Sequence, residues 1–123
     1  MSNKIVVDLD HPVWLSEPGY RYFKGDDGNY CALGKALIAS GHTISSQDSY
    51  YEDFALIMFY LSIGVARSIA YTNDNLGTKE GFVMKPENHW KAVKMVLEEL
   101  AKNPNVELKG TKVHDVLKEK VNA

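Results

Sequence analysis

The sequence contains a single cysteine, Cys31, and no accumulation of charge of one sign. One cysteine cannot form an internal disulfide, which excludes a disulfide-stabilised secreted domain. The chain has 14 Lys and Arg against 16 Asp and Glu, a formal net charge of −2, and neither sign forms a long run. It therefore lacks both the basic stripe that binds duplex nucleic acid and the dense acidic surface of a DNA mimic.

Long hydrophobic runs are also missing. The longest charge-free run, residues 54–66, has 13 residues, whereas a membrane span needs about 20. The start MSNKIVVDLDHP has neither the basic end nor the apolar stretch of a signal peptide. These absences predict a soluble cytoplasmic protein that does not bind membranes.

Length and composition favour one globular domain over residues 1–123, because 123 residues with 45% hydrophobic content are enough for one core. Residues 3–9 are rich in β-branched side chains and predict a strand. Aromatic stretches on both sides of residues 25–28 (Gly-Asp-Asp-Gly) predict a hairpin. The expected fold is α+β, mainly helical, with about four helices and a small antiparallel sheet or hairpin on the N-terminal side.

Helical spacing of apolar residues marks most of the remaining chain. The predicted helices cover residues 31–40, the apolar segment 50–69 with Gly64 as its dividing point, residues 86–103, and a last helix after Gly110. Two further strands are predicted, at residues 82–84 and 106–108, the second pairing with residues 3–9. The apolar segment 50–69 is also suited to a dimer contact, which makes a homodimer a further hypothesis, while the sequence leaves the oligomeric state open.

Two segments carry a resemblance to known proteins. YCALGKAL at residues 30–37 is followed by IAYTNDNLGT at residues 69–78 and then by the helix AVKMVLEELA. This order resembles an uncharacterised family of small bacterial and tailed-phage proteins with a Cys-Ala-x-Gly-Ala-Leu helix start, a Trp-Asn-Asp turn and a C-terminal amphipathic helix. The resemblance implies a setting in a bacterium or phage-infected host, but no activity.

The chain departs from that family pattern at several places. Lys35 stands where the family has alanine, and Thr72 stands where it has tryptophan. The segment GFVMKPENH interrupts the path from the Asn-Asp turn to the next helix, and IVVDLDHP replaces the family's N-terminal helix.

Cys31 is the sharpest candidate for catalysis, because it lies at the predicted start of a helix, where the helix dipole favours a thiolate. A nucleophile there needs a histidine base and an Asn or Asp that orients it. His89 or His42 can serve as the base, and Asn73 or Asp74 as the orienting residue. The alternative is that Cys31 is a small buried hydrophobic residue.

Other polar candidates have simpler interpretations. Asn73 and Asp74 could bind a ligand, but short Asx side chains commonly bond to their own loop, so a turn is favoured. Asp8, Asp10 and His11 lie close in sequence, but nothing supplies the remaining ligands of a metal ion. No metal or cofactor is therefore predicted.

Aromatic residues crowd the N-terminal third of the chain. Tyr, Trp and Arg are the residues most enriched at binding hot spots. The predicted binding residues are Trp14, Tyr20, Arg21, Tyr22, Lys24, Asn73 and Asp74.

The function that the sequence favours is that of a non-enzymatic accessory protein, phage-encoded or bacterial, which binds a host protein. Two alternatives remain open. One is a protein that sequesters a small nucleotide-like ligand by aromatic stacking. The other is a cysteine-dependent hydrolase that uses Cys31.

Overall fold

The computed structural model describes residues 4–17, 30–44, 50–74 and 86–122. These ranges contain five α-helices, one 3-10 helix and two strands. In chain order they are β1 (Ile5–Asp8), the 3-10 helix Pro12–Leu15, α1 (Ala32–Ala39), α2 (Tyr50–Ile57), α3 (Ile63–Asp74), α4 (Pro86–Lys102), β2 (Val106–Lys109) and α5 (Lys112–Asn122). The predicted α+β class, dominated by helices, is confirmed.

The two strands form a parallel sheet, in which Ile5 pairs with Val106 and Asp8 with Lys109. The antiparallel arrangement predicted from the sequence is therefore wrong. The chain reaches β2 from β1 through helices α1 to α4, and such a crossover returns it to the same end of the sheet, which produces parallel pairing. The predicted hairpin around residues 25–28 and the strand at 82–84 lie outside the described residues.

Helix α1 begins and ends where the sequence predicts. Cys31 is the N-cap residue, and Gly41, two residues after the helix, has φ +94°. A residue in this left-handed region ends a helix, and glycine adopts it without steric strain.

The apolar segment 50–69 is not one helix. Helix α2 ends at Ile57 and α3 begins at Ile63, so the break lies before Gly64 and not at it. The hydroxyl of Ser62 accepts a hydrogen bond from the Val65 amide (3.3 Å) and caps α3. The polar cap therefore determines the break, and Gly64 is accommodated in the first turn of α3.

Helix α4 lies at the centre of the core, in contact with α1, α3, α5 and β2. Val93, Val96 and Leu100 on its inner face are fully buried. Among the residues whose burial the structure describes, four polar or charged ones are buried: Lys35, Asp53, Asn73 and His89.

Candidate functional site

Cys31 lies at the N-terminus of α1, in extended backbone conformation, with 6% of its surface exposed. Its Sγ accepts a hydrogen bond from the Gly34 amide at 3.4 Å. This amide is one of the N–H groups that have no partner within the helix. The sulfur thus takes the capping position that a Ser or Asp oxygen occupies in most helices.

Asn73 connects this helix start to His89. Its Oδ1 accepts hydrogen bonds from the Ala32 amide (3.1 Å) and from Nδ1 of His89 (2.8 Å). The side chain reaches these partners from the last turn of α3, while His89 lies in the first turn of α4. The predicted local turn at Asn73 and Asp74 is therefore wrong, because α3 continues through both residues and Asn73 bonds to residues distant in sequence.

The two hydrogen bonds that Asn73 Oδ1 accepts determine which ring nitrogen of His89 carries the proton. An amide N–H always donates, so the Asn73 atom that faces Ala32 is the oxygen. That oxygen cannot donate to His89, which means that Nδ1 carries the proton and Nε2 presents a lone pair. Burial, followed by the nearby charge of Lys35, lowers the pKa of His89 to about 3. The ring is therefore neutral at pH 7, and its buried Nε2 has no hydrogen-bond partner among the described residues.

Lys35 lies one helical turn after Cys31 and is fully buried. Its Nζ donates to the carbonyl oxygens of Ser16 (2.8 Å) and Trp14 (3.3 Å), and lies 4.6 Å from the centroid of the Trp90 ring. Burial lowers its pKa to about 7, against opposing effects of Cys31 and Glu17. Sequence reasoning missed this residue, although one lysine within the apolar run CALGKALIA was the available signal.

The structure brings three of the predicted catalytic candidates together: Cys31, Asn73 and His89. His42, the alternative base, lies beyond the other end of α1, where its ring contacts Tyr60 at a centroid distance of 6.2 Å. Asp74 is the last residue of α3, and its side chain lies outside the described structure.

Of the aromatic and basic residues predicted to form a binding surface, the structure describes only Trp14. Trp14 is fully buried, and its Nε1 donates to the Asp8 carbonyl at 2.8 Å. Its assignment as a binding residue is therefore wrong, because a ring enclosed in the core and bonded to β1 is not accessible to a partner. The other aromatic and basic candidates, Tyr20, Arg21, Tyr22 and Lys24, lie outside the described residues.

Asp10 and His11, which follow β1, each cap the start of a helix. Asp10 Oδ1 accepts from the amides of Thr111 (3.3 Å) and Lys112 (2.9 Å) at the start of α5, and His11 Nδ1 accepts from Val13 N at 3.0 Å. Within the described ranges, no three His, Cys, Asp or Glu side chains are grouped as metal ligands.

A groove lies at the end of the sheet where β1 begins. It has a volume of about 490 Å³. It is lined by Lys4, Ile5, Val6, Ser40, His42, Leu56, Phe59 and Tyr60. We call it the β1 groove. Phe59 in its wall is 69% exposed, the largest exposed fraction among the large hydrophobic residues of the described chain.

The edge of β1 that faces away from β2 borders this groove. Ile5 and Leu9 donate to the carbonyls of Asn105 and Lys109 on the β2 side. Because backbone groups alternate in direction along a strand, the N–H and C=O of Val6 point away from β2. In the part of the chain that the structure describes, no backbone or side-chain group bonds to them.

No protein-family model, curated protein or solved structure matches this chain. The resemblance to small bacterial and phage proteins therefore remains a prediction. Of the helices that the structure describes, none combines the length and apolar character needed to cross a bilayer.

Proposed function

We propose that the protein acts by binding, and that it takes up an extended peptide segment of a partner protein in the β1 groove. The observation that carries this proposal is the pair of backbone groups of Val6, unbonded within the described chain, beside the exposed Phe59 ring. In keeping with the family resemblance, the expected partner is a host protein.

The backbone of Val6 supplies the main-chain part of recognition. A free strand edge is a template onto which another chain adds as a strand, through N–H and C=O pairs. At Asp8 the same edge is covered, since its carbonyl accepts from Trp14 Nε1 and from His11 N. The free part is therefore short, and a bound peptide gains two main-chain bonds at Val6.

Side chains of the groove supply the remaining affinity. Two main-chain bonds contribute only about 1–3 kcal/mol in water, because the free groups are already hydrated. Phe59 and the half-buried Leu56 offer apolar surface to the side chains of a bound strand. We therefore expect a peptide with apolar residues at alternate positions, since every second side chain of an added strand faces the same way.

A second concave surface fits this role less well. It lies between α4 and α5, has a volume of about 400 Å³, and includes Leu97, Ala101 and Leu117. The backbone groups there are bonded within the two helices, so this surface offers no main-chain recognition. The nucleotide alternative also has no support in a specific contact of the described residues, because Trp14 is buried and its other stacking residues lie outside them.

The test is a selection of binders from a random peptide library, followed by affinity measurements on variants. Val6→Pro removes the free N–H and leaves the β2 side of the strand intact, since proline is tolerated where a strand's N–H faces outward. Phe59→Ser removes the exposed ring. Each change should weaken binding of the selected peptides by at least about tenfold, or about 1.4 kcal/mol.

Tyr71→Ser is the matched control, because Tyr71 is also exposed (56%) but does not line the groove. It should leave the affinity unchanged, and the Val6 amide should become protected from hydrogen exchange in the wild-type complex. Peptides that bind the three variants equally well contradict the proposal. A dimer in sedimentation that Val6→Pro dissociates would instead assign the edge to a second copy of this chain.

A further inference from the structure

The concave surface between α4 and α5, which we call the α4–α5 groove, combines an apolar floor with a charged rim. Its volume is about 400 Å³, within the roughly 300–1,000 Å³ of small-molecule pockets. We propose that this groove binds an amphipathic monocarboxylate, a free medium-chain fatty acid. The alkyl chain lies between the helices and the carboxylate lies at the lysines of the rim. This site is independent of peptide binding in the β1 groove.

The two helices contribute side chains at the same spacing. The α4 side of the groove consists of Lys94, Leu97, Glu98 and Ala101. The α5 side consists of His114, Leu117, Lys118 and Val121. Each set has the spacing i, i+3, i+4 and i+7, which places its members in one stripe along a helix. The groove is therefore bounded by two parallel-sided stripes, each with a leucine in its middle.

The apolar part of the groove suits an alkyl chain. Leu97 and Leu117 form its floor and are 3% and 5% exposed. Ala101 is exposed, and its single methyl group leaves space beside the floor. From Lys94 to Ala101 the groove follows α4 for about 10 Å of helix axis. That length corresponds to an extended chain of roughly eight carbons, given C–C bonds of about 1.5 Å.

Recognition in this groove depends on side chains. All its lining residues belong to α4 or α5, and their backbone N–H groups are bonded within those helices. A peptide strand needs free N–H and C=O groups along its binding site. A fatty acid needs only apolar surface for its chain and positive charge for its single carboxylate.

The charges of the rim complement a monoanion. Lys94 and Lys118 supply two positive charges, against one negative charge on Glu98. Glu98 lies 4.0 Å from Lys94, and more than half of each side chain is exposed, so this ion pair is weak. Lys118 is exposed and has no ion pair among the described residues. His114 adds a ring N–H donor.

Lysine also fits the boundary between the two parts of the ligand. Its methylene stem packs against apolar surface while its ammonium group stays in water. A carboxylate at the rim therefore remains hydrated, and the cost of burying a charge is avoided. The alkyl chain meanwhile covers the apolar surface of the two leucines.

The probe is octanoate, titrated into the isotope-labelled native protein and followed by NMR. We expect saturable shifts of the Ala101 and Leu117 amide signals. Hexanoate, two methylenes shorter, should bind roughly tenfold more weakly or less tightly still, since each buried methylene contributes about fourfold in affinity. 1-Octanol, which has the chain but no charge, should bind at least about threefold more weakly than octanoate. No saturable shift at millimolar octanoate, or equal affinity for octanol, would overturn the proposal.

Variants locate the chain and the carboxylate. Ala101→Leu keeps a strong helix former but fills the groove, and should weaken octanoate binding at least about tenfold by steric exclusion. Lys118→Glu should weaken octanoate binding about threefold or more and leave octanol binding unchanged. Lys91→Glu is the matched control, because Lys91 is an exposed lysine of α4 that does not line the groove.

The control should bind octanoate as tightly as the wild type. Equal octanoate affinity in a folded Ala101→Leu or Lys118→Glu protein would contradict the site. A dimer in sedimentation that Ala101→Leu dissociates would instead assign the groove to a second copy of this chain.

Discussion

Asn73 holds His89 through a 2.8 Å hydrogen bond between Asn73 Oδ1 and His89 Nδ1, and the same oxygen accepts the Ala32 amide at 3.1 Å. One side chain at the end of α3 thus joins the starts of two other helices. Because all these atoms are buried, removal of the oxygen leaves two donors that water cannot reach.

We expect Asn73→Leu to lower the free energy of unfolding by about 2–6 kcal/mol, because each of the two orphaned buried donors costs about 1–3 kcal/mol. Urea denaturation at pH 7 measures the change. Thr72→Ala is the matched control on the same helix, since the Thr72 hydroxyl bonds to the Ser68 carbonyl one turn earlier. A loss below about 0.5 kcal/mol for Asn73→Leu, typical of a surface change, would contradict the role given to this oxygen.

His89 makes stability depend on pH below neutrality. Its pKa is about 3 in the folded protein, against 6.5 for an unperturbed histidine. Between these values the unfolded chain binds the proton and the folded protein does not. The contribution of His89 to stability is therefore complete above pH 6.5 and is lost as the pH falls toward 3, with a slope of up to about 1.4 kcal/mol per pH unit.

The measurement is urea denaturation of wild type and His89→Gln between pH 6.5 and 5, above the range in which most carboxylates titrate. The wild type should lose stability on acidification, whereas His89→Gln should be nearly flat. His42→Gln, at a half-buried histidine near Tyr60, should follow the wild type. If stability fell equally with pH in the wild type and in His89→Gln, His89 would bind protons equally in the folded protein and in the unfolded chain.

Lys35 gives a pH dependence of the same sign in a more alkaline range. Burial lowers its pKa from 10.5 to about 7, so the unfolded chain holds more protons between these values. Stability should rise as the pH increases from 7 toward 9.5. Above pH 10 the trend should reverse, because burial raises the pKa of Tyr60 and the unfolded chain then loses its tyrosine proton first.

Lys35→Met should abolish the rise between pH 7 and 9.5, since methionine has similar length and does not titrate. Lys102→Met is the control, because Lys102 is exposed and paired with Glu99 at 3.2 Å. A rise that persists in Lys35→Met would assign the titration to another group.

Local signals in the sequence predict the bounds of α1 and α4 well. Gly41 ends α1, Pro86 begins α4, and α4 stops before Pro104, because these residues act through their own backbone geometry. The break between α2 and α3 was misplaced at Gly64, since the capping hydroxyl of Ser62 outweighs the weak helix preference of glycine. Strand direction was also wrong, because the course of the intervening helices determines it.

The candidate site was only partly predictable. The sequence indicates Cys31, His89 and Asn73, but it also allows His42 in place of His89. Only helix packing distinguishes the two histidines, because His89 bonds to Asn73 beside the N-terminus of α1, whereas His42 lies beyond its C-terminus. Lys35 was not predicted at all, because a lysine is buried only where tertiary structure supplies acceptors such as the carbonyls of Trp14 and Ser16.

Glycine positions provide a last prediction. Gly110 has φ +91°, and a Cβ there would collide with the Asp10 carboxylate. That carboxylate caps α5 through the amides of Thr111 and Lys112. Gly110→Ala therefore combines left-handed strain of about 1–2 kcal/mol with loss of a cap, about 1 kcal/mol. We expect a total loss of about 2–3 kcal/mol in thermal or urea unfolding.

Two other glycines separate these contributions. Gly41 has φ +94°, but no described atom lies within 4 Å of the place that an added methyl group would take, so Gly41→Ala should show the strain alone, about 1–2 kcal/mol. Gly64 lies in α3 with an ordinary helical backbone and open space around it, so Gly64→Ala should stabilise the protein by about 0.5–1 kcal/mol. If Gly110→Ala and Gly41→Ala lose the same stability, the Asp10 carboxylate moves aside freely and its cap contributes little to α5.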